Sequence, residues 1–392
     1  MKRITLPNFL SRLSRPRLPQ LASTRQWRLP TMRMPALSMS VKSKKDGFIG
    51  VEIGARHVHL LEFKRSGHQI EVSGYGSMPL PDQSVTDDQV NESGAVGQAI
   101  RKAMHKSGIK TNHAAIAVSG STVITKVIDM PANFGDEEIE EQIHFDAESY
   151  IPHPIDEVYL DFRILEPNPN DPEYNRVMLA ACRRETVEAY IDAVKKGGLT
   201  VDIVDLSSFA LQNACHLLID DDMAHDEQAS YAVFDIRTEQ TRMTVQNQGQ
   251  SIHSREIALA TRSLIEPLIE LHGLNSESEL YEKLRYGTID ADMIHDDLEE
   301  FVATAAAQIE QSLQFFSSAA AFEQTINGVI ITGDIGLFPG AESVFIENLD
   351  RPLRLGNSIK KLDVSKTARK NDVEWFGPVL AVASGLAIRS VR

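Results

Sequence analysis

One pattern in this chain occurs twice, and it restricts the possible folds more than any other feature. Residues 48–53 are an apolar run rich in β-branched side chains, and Gly54-Ala55 follows as a turn. Two more strand-like runs, 58–64 and 69–78, are separated by Ser66-Gly67. The design restarts at 231–236, 242–247 and 252–257, with Gly249 at its second turn. Glu52 ends the first strand of one copy and Asp235 that of the other, 183 residues apart, while Gly67 and Gly249 lie 182 apart. A repeated three-strand meander, each copy followed by helices, predicts two similar α/β halves facing one another. A cleft between paired domains is a natural ligand site.

The intervening segments read as follows. Residues 94–107 carry Val96, Ile100 and Ala103 on one helical face. Strand-like runs 114–118 and 123–129 precede a helix for which Asp136 is the expected N-cap, with Ile139, Ile143 and Ala147 on one side. Strands 158–165 and 177–182 are expected to be joined by a loop containing Pro167, Pro169 and Pro172. A helix over 185–196, a strand over 201–206 and a helix over 209–219 lead to an acidic run at 220–227, read as a domain junction. Helices are expected at 263–272, 277–286, 297–316 and 379–390, and a strand at 328–332.

Charge and composition narrow the function classes. Residues 1–45 hold eleven Lys/Arg and no Asp/Glu, so the rest of the chain carries a net charge of −26. Such a body is not expected to bind nucleic acid. The basic leader is interleaved with prolines and cannot bury enough apolar surface to fold alone. It reads either as a lipid-attracted tail, each basic group adding ~1 kcal/mol near an anionic leaflet, or as a solvated leader from an upstream start codon. No run approaches ~18 consecutive apolar residues, so no membrane span is expected, and no secretory signal is recognised. The two cysteines, Cys182 and Cys215, lie in apolar stretches outside any metal spacing and are expected to be buried, reduced thiols of a cytosolic protein.

Three short motifs could serve a nucleotide. In Gly50-Val51-Glu52-Ile53-Gly54 the turn N–H groups can cradle phosphate and Glu52 can hold Mg²⁺ through water; alone, the motif also fits a plain hairpin. In Asp235-Ile236-Arg237-Thr238-Glu239-Gln240-Thr241, Asp235 could serve the metal and Thr241 the phosphate. Arg237 stands where a glycine would let backbone approach, and either pairs with phosphate or fills the site. Glu239 on the same turn would repel phosphate. Gly333-Asp334-Ile335-Gly336 could receive an adenosine or its phosphate at a helix start, with Asp334 opposing it by charge. Lys283 could reach a ribose or phosphate, or remain solvated. His57 and His59 share a strand face, but two ligands do not define a metal site. No GxSxG, HExxH or P-loop occurs, and no nucleophile–base constellation emerges. Finally, QIHFDAESYIPHPIDEVYLDF, 142–162, breaks a helix at an aromatic–proline knuckle. That shape suits either recognition of an extended peptide or a packed corner.

These residues carry a family resemblance. IGVEIGARHVHLLEF, the 142–162 segment, GLTVDIVDLSSFAL (198–211), IEQSLQFF (309–316) and ASGLAIRS (383–390) resemble the corresponding motifs of PilM proteins, over about 48–390. The division protein FtsA shares the domain plan but matches these motifs less well. The resemblance implies an actin-like (ASKHA) α/β fold: two duplicated α/β domains with an inserted small subdomain, 1C, in the first half. The implied boundaries are 1–46 for a disordered basic extension, 47–112 and 185–227 for subdomain 1A, 113–184 for 1C, 228–272 and 327–378 for 2A, 273–326 for 2B with a linking helix, and 379–392 for a closing helix.

The function implied is that of a cytoplasmic scaffold of the type IV pilus machine, peripheral at the inner-membrane face. It would bind the N-terminal peptide of PilN, and through PilN and PilO would meet the motor and platform proteins. Carried over residue by residue, Glu52, Gly54, Asp235, Thr241, Gly333 and Lys283 are the candidates for ATP, and Asp235 for Mg²⁺. Gln142, Phe145, Tyr150, Ile151, Pro152, Glu157 and Asp161 are the candidates for the peptide. The family usually has Asp at position 52, Ser at 55, Gly at 237 and a second Gly at 334. This chain has Glu52, Ala55, Arg237 and Asp334, so ATP use is expected to be weakened or lost. The alternative is an ATPase or small-molecule kinase in the same cleft, which would need a base near the γ-phosphate.

Overall fold

The computed structural model describes residues 47–67, 69–120, 123–219, 229–247, 250–319 and 326–391. The basic leader, the acidic run at 220–227 and Gly249 lie outside them.

Two sheets repeat one topology. The first runs Thr200–Leu206, His113–Val118, Ile49–Ile53, His57–Ser66, Gln69–Pro79 and Asp363–Val364. The second runs Leu353–Leu355, Ile326–Gly333, Ser230–Ile236, Thr241–Asn247 and Gln250–Ile257. In both, the antiparallel meander occupies one side, and its first strand pairs in parallel with a strand that arrives much later in the chain. That shared order is the structural form of the repeat. Ile49–Ile53 and Ser230–Ile236 are buried along their whole lengths, as expected for central strands covered on both faces. Each carries one acid at its penultimate position, Glu52 or Asp235, which places a carboxylate at the end of each sheet.

A third sheet, ordered Val123–Pro131, Asp171–Arg183, Val158–Asn168, belongs to the inserted segment. The helix Asp136–Phe145 lays Ile139 and Ile143 over Ile128, Val177 and Leu179. His113–Val118, read from sequence as the start of this insertion, instead pairs between Ile49–Ile53 and Thr200–Leu206 in the first sheet. An isolated apolar run does not say which sheet it joins. The expected proline loop is a long hairpin whose strands continue to Asn168 and restart at Asp171. Pro167 is tolerated on an edge strand, and Pro172 lies beyond the end of the pairing with Val123–Pro131. Gly135, not Asp136, caps the inserted helix, and the Glu138 carboxylate returns to accept the Gly135 N–H at 2.7 Å.

The linking helix His295–Ala319 buries Leu298, Val302, Ala305, Ile309, Leu313 and Phe316. Their spacing of three and four makes one apolar stripe against the second half. The chain then returns to close on the first half. The expected closing helix is broken into turns Gly377–Leu380 and Ile388–Ser390 around Ala381–Ala387. Gly385 lets this helix lie against Ser207–Leu218: a Cβ there would come within 1.6 Å of the Ala210 carbonyl oxygen. Beyond it Arg389 pairs with the buried Asp205.

Candidate functional site

The ends of the two central strands face each other across the seam between the halves. Arg237 lies between them. Its backbone N–H donates to the Gln240 carbonyl at 3.0 Å, which tightens the loop after Ser230–Ile236 and projects the side chain into the seam. Its Nε is 2.6 Å from Asp235 Oδ1, its Nη2 is 3.0 Å from Glu52 Oε1, and its Nη1 is 4.0 Å from Asp334 Oδ1. Nη2 also donates to the Val379 carbonyl at 3.0 Å. One guanidinium thus serves acids from both halves.

Several other polar groups of the three motifs also have internal partners, although Asp235 Oδ2 is buried without one. The Gly54 N–H donates to the His57 carbonyl at 2.9 Å. The Thr238 N–H and hydroxyl donate to Asp334 Oδ2 at 2.8 and 2.9 Å. The Thr241 hydroxyl donates to the Leu259 carbonyl at 2.7 Å. The Ala383 N–H donates to Glu52 Oε2 at 3.2 Å. Gly333 holds φ at 96°, and a Cβ there would come within 2.4 Å of the Ile236 carbonyl oxygen. The glycine is therefore required by the protein's own close packing.

A second set of contacts crosses the seam beside the first. The hairpin Val85–Thr86 and Gln89–Val90 turns through Asp87 and Asp88, at φ 49° and 56°. Two successive residues of positive φ are the signature of a type I′ turn, whose twist suits a tight hairpin. It presents Asp88 Oδ2 to Arg242 Nη2 at 2.8 Å and to Gln240 Nε2 at 2.6 Å. Arg242 Nη2 also reaches Ser119 Oγ at 2.9 Å. Arg56 Nε lies 3.8 Å from Glu277 Oε2.

Burial governs the protonation of this cluster. It pushes the Glu52 carboxyl up to about 7, with Arg237 pulling back in part. It also pushes Glu277 up to about 7, with Asp334 adding to the rise. The Asp334 carboxyl is raised by the same cause. His57 is lowered to about 4 by burial and by the neighbouring Arg56. His57 and His59 stack at 6.0 Å with their rings 20° apart.

The site does not fit a nucleotide triphosphate with its metal. The cavity in the seam is about 60 Å³, space for a few waters, whereas small-molecule pockets run to roughly 300–1,000 Å³. The Gly54, Thr238 and Thr241 donors are engaged, and Asp235 Oδ1 already holds a cation, the Arg237 guanidinium, while its Oδ2 is buried without a partner. Among the described residues no group of three or more His, Cys, Asp or Glu is placed to hold a metal ion. Of the nucleotide candidates, Glu52 and Gly54 line the cavity, and Asp235, Thr241 and Gly333 lie immediately behind it. Lys283 does not join them. It faces Glu279 one turn away on its own helix, at 3.9 Å, while Glu277 is the residue that helix contributes to the cavity. Asp88, Arg242, Gln240, Arg56 and Glu277 were not foreseen. The Asp87-Asp88 pair between two β-branched runs was the available signal for the hairpin turn.

The peptide candidates divide differently. Phe145, at the end of the inserted helix, is 86% exposed, although its neighbours Ile139 and Ile143 are core. Pro152 and Glu157 are exposed and Tyr150 is half-buried, with Lys126 Nζ 5.4 Å from its ring centroid. Gln142 Nε2 donates to Asp146 Oδ2 at 2.6 Å. Ile151 is 2% exposed and belongs to the inserted core, so it is not on the surface. Asp161 alternates with Leu160 and Phe162, which pack towards the helix, and so stands on the other face of the sheet.

Comparison with known proteins follows this geometry. A family model described as type IV pilus assembly protein PilM matches residues 50–391. A solved PilM–PilN type IV pilus biogenesis complex is similar at 26% identity and TM-score 0.71, covering 88% of this chain and 99% of that one. The ethanolamine utilization protein EutJ from Carboxydothermus hydrogenoformans is similar in fold at 14% identity and TM-score 0.50, covering 88% of this chain and 89% of that one. MreB5 of Spiroplasma citri, solved with ADP, is a more distant match, at 10% identity and TM-score 0.43, covering 88% and 96%. The duplicated sheets are those of an actin-like fold. With the family model spanning nearly all of the described chain, from the first phosphate-type strand to the closing turn, this chain belongs to the PilM family of type IV pilus assembly proteins.

Proposed function

We propose that this chain is a non-catalytic scaffold of the type IV pilus machine that binds the N-terminal cytoplasmic peptide of PilN. Through PilN and its partner PilO it would link the inner membrane to the motor and platform proteins, working at the cytoplasmic face. The observation that carries the reading is the exposure of Phe145, 86% exposed and far more so than Val127, Leu165 and Tyr174, the other exposed large hydrophobics of this subdomain. A phenylalanine this exposed contributes little to its own core, and an isolated aromatic anchor is the kind of residue that dominates binding. The helix that carries it is acidic: Asp136, Glu137, Glu140 and Glu141 are exposed along it, and Glu148 just beyond its end. An arginine-bearing peptide complements that field. The similarity to a solved PilM–PilN complex supports PilN as its source. The described residues include no helix long and apolar enough to cross a membrane, so membrane attachment through a partner fits.

The peptide seat comprises Gln142, Phe145, Tyr150, Pro152 and Glu157. Asp161 takes part only if the peptide wraps the free edge of Val158–Asn168. Fluorescence anisotropy with a labelled PilN N-terminal peptide tests this. Phe145→Ala with Tyr150→Ala should weaken binding roughly tenfold or more while leaving the melting temperature nearly unchanged. Unaltered affinity would exclude the seat. Ile151→Ala is unsuitable here because it disturbs the core. No separate observation favours the ATPase or kinase reading.

A further inference from the structure

We infer that the cleft is an internally filled nucleotide site, in which Arg237 occupies the position between the halves that a nucleotide and its metal would take, and holds the halves closed without them. The inference stands on this chain's own residues and is independent of the PilN reading.

Three acids from different places in the fold converge on one guanidinium: Glu52 from the first sheet, Asp235 from the second, and Asp334 from the turn after Ile326–Gly333. Acids at the ends of facing strands suit a cation, and here the cation is supplied by the chain. A side chain cannot dissociate, so closure becomes part of folding instead of a ligand-dependent step. The phosphate side is filled in a matching way. Asp334 Oδ2 takes the Thr238 N–H and hydroxyl, which are donors a phosphate oxygen would otherwise use. A triphosphate entering the cleft would have to displace that carboxylate and lie against Glu52, Asp334, Glu277 and Glu239, all of which line it. Whichever of these carboxyls are ionised would oppose its charge where water is scarce.

Asp88 supplies an independent second tether. The left-handed turn at Asp87-Asp88 carries it from the first half to Arg242 and Gln240 of the second. The Tyr190 hydroxyl holds the same turn through the Asp88 carbonyl at 3.2 Å. Two arginines of the second half, Arg237 and Arg242, thus each engage an acid of the first. Both are 13% exposed or less, so the pairs are shielded from salt.

The test uses the full chain. Spin labels on Lys102→Cys and Glu270→Cys, exposed positions on opposite halves, report the separation of the halves, and the native cysteines are buried and spared. The wild-type background should give one narrow distance distribution, identical with and without millimolar Mg-ATP. A fluorescent ATP analogue should not bind, and Mg-ATP should not shift the melting temperature. In the Arg237→Met, Asp88→Ala double variant the distribution should broaden. If that variant does not fold, the neutral variant Glu52→Gln, Asp235→Asn, Arg237→Met, Asp334→Asn, combined with Asp88→Ala, removes the three acids with their cation and the second tether, and should also broaden the distribution. Saturable ATP binding by the wild type, a nucleotide-dependent distance change, or a narrow distribution surviving in a folded variant that lacks both tethers would each overturn the inference.

Discussion

The seam between the halves and the inserted subdomain treat their functional groups in opposite ways. In the seam, polar groups find partners inside the protein: Arg237 pairs with Glu52 and Asp235, Arg242 with Asp88, and Thr238 donates to Asp334. In the inserted subdomain the apolar core is complete without Phe145, and that ring is left in water. Polar groups already satisfied by one another offer little to a ligand, because a newcomer must first break those bonds. An exposed aromatic has no such bonds to lose and gains by being covered. On the proposed reading, the seam serves stability and the insertion serves recognition.

Breaking the seam at its cation should have the largest effect. Arg237→Met leaves three carboxylates around an uncharged side chain and should cost about 3–5 kcal/mol of unfolding free energy, read by urea denaturation. A loss below about 1 kcal/mol would mean that the guanidinium is not the centre of the cluster. Next comes the core of the insertion. Ile151→Ala should cost about 2–5 kcal/mol, measured in the same way, whereas Phe145→Ala should leave stability within about 0.5 kcal/mol and lower peptide affinity instead. If the two variants behaved alike, the division between core and recognition surface would fail.

The smallest effect is expected at the seam's surplus acid. Glu52→Gln keeps an acceptor for Arg237 while removing one of three acids, and should change stability by about 1 kcal/mol or less at neutral pH. Its signature is the pH dependence. Glu52 sits at about 7 in the folded protein against an ordinary 4.5. The folded state therefore holds a proton that the unfolded chain has released, and the contribution of this group to stability falls as pH rises from about 4.5 to 7. Glu277 acts in the same sense, whereas His57, lowered to about 4, acts in the opposite sense below its ordinary 6.5. The difference between Glu52→Gln and wild type isolates the one group. The variant should gain relative stability as pH goes from 5 to 8, and a flat difference would show that Glu52 is not protonated by burial.

Much of this arrangement was legible in the sequence. The 183-residue offset between Glu52 and Asp235 announced two equivalent sheets, because strand ends recur when a domain duplicates. It could not say that His113–Val118 joins the first sheet, since pairing is set by the fold and not by the strand's own residues. Two alternatives were open for Arg237, phosphate partner or filler. Only the positions of Glu52, Asp334 and Val379, far away in sequence, decide between them. Lys283 had a nearer option than a nucleotide, an acid one helical turn back. Ile151 followed an aromatic in a helix-breaking knuckle and looked accessible, yet the break turns it inward. Asp88 was missed because its role depends on a partner 154 residues away.

Titration of the PilN N-terminal peptide into the wild-type chain, with and without saturating Mg-ATP, addresses the central claim most directly. The account predicts saturable binding with the same affinity in both conditions. Binding that appears or strengthens only with nucleotide, or no binding in either condition, would contradict it.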